Sequence, residues 1–79
     1  MATVQLFASF AEHFGAATVE VPIPKGATVR ELIQRIHSLS GSLVIPPAAR
    51  IAINHQFASD DAVIAATDEI ALIPPVAGG

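Results

Sequence analysis

Residues 28–41 read as a helix with both ends marked. Thr28-Val29-Arg30-Glu31 is a capping box, in which the Thr28 hydroxyl accepts from the Glu31 amide and the Glu31 side chain reaches back to the Thr28 amide. Gly41 supplies a stop. Between them Val29, Leu32, Ile33, Ile36 and Leu39 or Ser40 recur at three- and four-residue spacing, with Arg30, Glu31, Gln34 and Arg35 on the other side. One face of this helix must be covered. In 79 residues there is room for one modest core, and the remaining periodic segments alternate as strands do. The sequence therefore predicts an α+β domain in which one main helix lies across a mixed sheet of four to five strands. With 52% apolar residues, many of them alanine, and no Trp or Tyr, that core is small and aliphatic.

Along the chain, residues 3–8 alternate, with Val4, Leu6 and Ala8 inward and Thr3, Gln5 and Phe7 outward. Ser9 is placed to cap a short helix from Phe10 to Phe14, closed by Gly15. Thr18–Ile23 alternates again and, so close to the first strand, predicts an antiparallel hairpin that ends at Pro24-Lys25-Gly26. Beyond the main helix, Leu43–Ala49 reads as a loop crossing the end of the sheet. Arg50–Asn54 is a third strand with Ile51 and Ile53 inward, turned by Asn54-His55-Gln56 into a brief Phe57-Ala58 extension. Ser59-Asp60-Asp61 offers N-cap oxygens to a helical turn through Ala66. Asp68–Ile73 is the last strand, with Ile70 and Leu72 inward and Glu69, Ala71 and Ile73 outward. Residues 1–73 thus form the domain, and 74–79 an extended tail.

That tail, Pro74-Pro75-Val76-Ala77-Gly78-Gly79, is built to reach. The two prolines fix φ and bias their predecessors to extended backbone. Gly78 and Gly79 have no side chains and can thread a channel as narrow as the backbone itself. A glycine pair alone would read as a frayed terminus; the preceding Pro-Pro-Val argues for a purpose. Together with Asp68-Glu69-Ile70, the ending Leu72–Gly79 resembles the family of small, sulfur-carrying subunits of molybdopterin synthase, which are ubiquitin-like β-grasp proteins. Val4–Ala8 and Gly26–Leu32 are similar to the same family, so the resemblance spans nearly the whole chain. Asn54-His55-Gln56 stands where Asn-Gly is common, and Thr67 replaces a glycine before the last strand. Both departures fall in turns.

The resemblance implies a β-grasp fold and a main-chain working group, the Gly79 carboxylate. A ubiquitin-activating-like adenylyltransferase would use ATP to adenylate Gly79, and a sulfur donor would convert the adenylate into a thiocarboxylate. The thiocarboxylate would deliver sulfur inside the large synthase subunit to a cyclic pyranopterin precursor, forming the molybdopterin dithiolene. Two carriers would serve each product, in a two-plus-two heterotetramer. The chain would be a co-substrate binding no cofactor of its own, with acid, base and precursor pocket in the large subunit. Three alternatives stay open. They are a carrier for thiamine thiazole or cysteine, a ubiquitin-like modifier joined to lysines, and an interaction module with an inert tail.

The side chains give little support to other chemistry. His13, His37 and His55 lack metal-site spacing, and His37 near the end of the main helix suits the helix dipole. Asp60-Asp61 and Asp68-Glu69 fit capping and turn roles, and no serine sits in a nucleophile elbow. Without cysteine there is no disulfide or thiol nucleophile, so any sulfur is carried elsewhere than on a side chain. A net charge of −3, with Lys25, Arg30, Arg35 and Arg50 as the only strong bases, gives no footprint for nucleic acid. No apolar run is long enough for a membrane span and no leader pattern opens the chain, so a cytoplasmic protein is expected. Finally, strand parity places Phe7 and Ile73 on the open face with Phe57 nearby, an apolar patch at the root of the tail that would bind a partner.

Overall fold

The computed structural model describes residues 1–41 and 45–75. Five strands, β1 (Ala2–Leu6), β2 (Thr18–Val21), β3 (Arg50–Ile53), β4 (Gln56–Phe57) and β5 (Ile70–Ile73), form one sheet in the order β2-β1-β5-β3-β4. The first and last strands run parallel at its centre, Val4 beside Ile70 and Leu6 beside Leu72, while the other pairings are antiparallel. The mixed sheet and the β1/β2 hairpin are as the alternation predicts. Within that hairpin's connection sits α1 (Ala8–Phe14), and α2 (Val29–Ser40) is the main helix.

Period-two alternation on the strands and the helical stripe meet in one core. Val4 and Leu6 of β1, Val21 of β2, Ile51 of β3 and Ile70 and Leu72 of β5 are buried together with Val29, Leu32 and Ile36 of α2 and Phe10 of α1. No polar side chain is buried among the described residues. Leu39 does not belong to the stripe: it is 51% exposed. The helix starts where expected, with the Glu31 amide donating to Thr28 Oγ1 at 3.3 Å, although the Glu31 carboxylate makes no return bond.

The free amides at the start of α2 explain the largest correction. Residues 59–66 contain no helical turn. The first amides of a helix have no partner within it, and here the 60–64 segment supplies carbonyls instead. Val29 N–H donates to the Ala62 oxygen and Arg30 N–H to the Asp60 oxygen, both at 3.0 Å, and Ile64 N–H donates to the Ala27 oxygen at 2.8 Å. After a turn in which Ala62 N–H donates to the Ser59 oxygen at 3.1 Å, the segment passes the helix start, bridging Thr28 and Val63, and Asp61 pairs with Arg30 at 3.1 Å rather than capping anything.

Other boundaries moved for local reasons. β1 stops at Leu6, and Phe7 takes the N-cap position of α1; Ala8 is exposed with φ +50°, so it does not face inward, and Ser9 makes no cap. β2 ends at Val21 because Pro22 has no amide to extend the ladder, yet Ile23 still packs against the core. The β3–β4 turn is a two-residue one, with Asn54 at φ +53° and His55 at φ +70°, the primed geometry that suits a hairpin. Gln56 is therefore strand, paired with Ile53. Asn54 also bridges to the approach of β5: its Nδ2 donates to Asp68 Oδ1 and its Oδ1 accepts from the Glu69 amide, each at 2.9 Å. That bridge explains why β5 begins at Ile70 instead of Asp68. Gly15 closes α1 in the left-handed region, as the sequence predicts. Part of the predicted Leu43–Ala49 loop lies outside the described residues.

Candidate functional site

With α2 covering one face, the residues of opposite parity look outward from the sheet. Along β5 these are Ala71 and Ile73, continuing from Glu69. The β1 neighbours are Gln5 and Phe7, and the β3 neighbours are Arg50, opposite Ile73, and Ala52, which pairs with both Ala71 and the β4 residue Phe57. Two alanines at the centre and larger side chains around them leave a shallow depression of about 360 Å³ lined by Gln5, Phe7, Ala52, His55, Phe57, Glu69, Ala71 and Ile73. Phe7 is 45% exposed and Phe57 59%. The three residues of the predicted apolar patch, Phe7, Phe57 and Ile73, thus meet in one hollow.

This hollow lies where the chain leaves the sheet. Because β1 and β5 run parallel, Leu6 and Leu72 end side by side, and Phe7 follows one while Ile73, Pro74 and Pro75 follow the other. Pro74 is half-buried and Pro75 exposed. The remaining predicted tail residues, Val76, Ala77, Gly78 and Gly79, lie outside the described residues. A second depression of about 510 Å³, lined in part by Met1, Ile23, Lys25 and Val63, sits at the opposite end of β1.

Two side-chain contacts flank the first hollow. The Arg50 guanidinium carbon lies 4.3 Å from the Phe57 ring centroid, and His55 Nε2 meets Glu69 Oε2 at 2.6 Å. Sequence reasoning counted Arg50 only as a base and left Ala52, Ala71 and Gln5 without a role. The signal was available: Ile51 and Ile53 inward put Arg50 and Ala52 outward. The pairing of Phe57 with Ala52 depended on the turn register and was not legible. Among the described residues no cluster of His, Cys, Asp and Glu could hold a metal ion, and no helix is long and apolar enough to cross a membrane. His13, His37 and His55 are not brought together: His13 contacts the Ser40 carbonyl and Phe14, whereas His55 faces Glu69.

A parallel pair of terminal strands at the centre of a mixed sheet, crossed on one face by a single long helix, defines a ubiquitin-like β-grasp protein. The ThiS family model matches residues 4–79, and the chain belongs to the ThiS family. It is 31% identical over 80 residues to the molybdopterin synthase sulfur carrier subunit of Arabidopsis thaliana, covering 96% of this chain and 80% of that protein. The fold is similar to the crystal structure of small archaeal modifier protein 1 from Haloferax volcanii, with a TM-score of 0.83 at 30% identity over 99% of this chain and 98% of that one. A putative molybdopterin converting factor subunit 1 from Pyrococcus furiosus gives a TM-score of 0.78 at 28% identity over 95% and 97%. A chain of the Amycolatopsis orientalis BexX/CysO complex gives 0.70 at 26% over the whole of both chains.

Proposed function

We propose that this chain is a sulfur carrier working through the Gly79 carboxylate, and that it serves molybdopterin synthesis as the small subunit of the synthase. The observation that carries this reading is the family match, which runs through Gly78 and Gly79, joined to similarity along most of the chain to a sulfur carrier subunit of molybdopterin synthase. A carboxylate has no leaving group fit for acyl transfer. An ATP-dependent adenylyltransferase therefore first makes the acyl adenylate with release of pyrophosphate, and a sulfur donor displaces AMP to leave a thiocarboxylate. The stiff Pro74-Pro75 segment and the side-chain-free Gly78-Gly79 then carry that sulfur into the large subunit, which holds the precursor and the acid–base groups. The folded body gives the tail a fixed root and, through Phe7, Phe57 and Ile73, a surface on which the partner seats.

Mixing the thiocarboxylated chain with the large molybdopterin synthase subunit and its pterin precursor is expected to form the dithiolene, consuming two chains per product. No product, with the thiocarboxylate left intact, would rule out this pathway. The likeness to small archaeal modifier protein 1 favours a second reading, in which Gly79 is joined to amines on other proteins. Covalent adducts of this chain in cell extracts, with no dithiolene formed in the mixture, would favour it.

A further inference from the structure

We propose that the depression at the tail root takes a protein surface bearing a carboxylate, which pairs with Arg50, next to an apolar side chain that fills the hollow over Ala52 and Ala71. This deepens the reading above and rests on it only in placing a partner at this face. Arg50 opens β3 directly opposite Ile73, the last β5 residue before Pro74. Its guanidinium carbon lies over the Phe57 ring, 4.3 Å from the centroid, and among the described residues its N–H groups donate to no side chain. The contacts between basic and acidic side chains among the described residues are Arg30 with Asp61 and His55 with Glu69; Arg50 is in neither. Glu69, the acid that lines the hollow, contacts His55 Nε2 at 2.6 Å and not Arg50.

Arg50 is therefore a cation held on an aromatic ring and in neither of those contacts, at the edge of an apolar hollow in a chain that carries −3 overall. A guanidinium is weakly hydrated and matches a carboxylate through two parallel hydrogen bonds. Held on an aromatic ring, it loses less freedom when that pair forms. Arginine and aromatic residues around a small apolar hollow are the usual makings of a binding hot spot. One cation does not make a nucleic-acid surface, and a basic partner would meet Arg50 with repulsion.

The test is calorimetric binding of the full chain to the large molybdopterin synthase subunit from the same organism, at low and at physiological salt. Arg50→Gln should weaken binding roughly 10-fold and Arg50→Glu on the order of 100-fold, with unchanged thermal unfolding because Arg50 is exposed. Added salt should weaken the wild-type chain and leave Arg50→Gln nearly unaffected. The double variant Phe7→Ala/Ile73→Ala should lose on the order of 10-fold or more. Wild-type affinity in Arg50→Glu, with the double variant weakened, would overturn the carboxylate pairing and leave the apolar docking face standing. Wild-type affinity in all of them would remove the docking face and the pairing together.

Discussion

A chain lacking Gly79 is expected to fold as the full chain does and to deliver no sulfur. Among the described residues the hydrophobic core lies between Ala2 and Leu72, and the last strand ends at Ile73. Gly79 is six positions beyond that strand, and its removal is expected to leave this core as it is. The proposed reacting atom, however, is on Gly79 itself. Without it the terminal carboxylate sits one residue closer to the body and fails to reach the centre where adenylation or transfer occurs. Catalysis depends on placing the reacting atoms within about half an ångström of the productive geometry, and one extended residue is about 3.3 Å. Sulfur transfer should fall to background, and the thermal unfolding midpoint should match that of the full chain. Full transfer by the shortened chain would sink the proposed role of Gly79.

Leu32→Ala should do the opposite, damaging the body and sparing the chemistry of whatever remains folded. Leu32 is 0% exposed, in the middle of the stripe that α2 turns to the sheet. Leucine-to-alanine changes at such sites cost about 2–5 kcal/mol, because the cavity left behind only partly collapses. A domain of this length has on the order of 4–12 kcal/mol in all. We expect a loss of about 3 kcal/mol in urea unfolding, enough to leave a sizeable unfolded fraction at moderate temperature. Leu39→Ala, on the same helix but 51% exposed, should stay within about 0.5 kcal/mol. Equal losses at the two positions would contradict the packing described here. Sulfur transferred per folded Leu32→Ala chain should equal that of the wild type.

Leu32 and Leu39 also mark how far the sequence could be read. A three- and four-residue spacing identifies a stripe, and Val29, Leu32 and Ile36 lie where it says. It does not tell where the sheet beneath the helix ends, so Leu39 or Ser40 stood as the next position; Leu39 is exposed and Ser40 half-buried. The inward residues Val4, Leu6, Val21, Ile51, Ile70 and Leu72 were legible because period two leaves no choice of face once one face is buried. Residues 59–66 were misread because Ser59-Asp60-Asp61 satisfies every local rule for a helix start. The competing demand came from 30 residues earlier, where the first amides of α2 needed the carbonyls of Asp60 and Ala62. Pro22 was a signal in plain view that the alternation of Thr18–Ile23 obscured.

For the site, parity brought Phe7 and Ile73 to one side and the turn put Phe57 nearby, and the structure gathers all three in one hollow. Its two-alanine floor and the stacking of Arg50 on Phe57 depend on the Asn54-His55 turn setting the register of β4. No periodicity reports such a register. The tail was read from its own chemistry, two prolines and two glycines, and Val76–Gly79 lie outside the described residues.

The most direct measurement is the intact mass of this chain purified from its own cells, with fragmentation to locate any change. Exchange of one oxygen for sulfur on the terminal carboxyl of Gly79 is the predicted result. A terminus that stays an ordinary carboxylate in cells actively making the cofactor, with sulfur neither there nor transferred from it, would contradict the carrier reading.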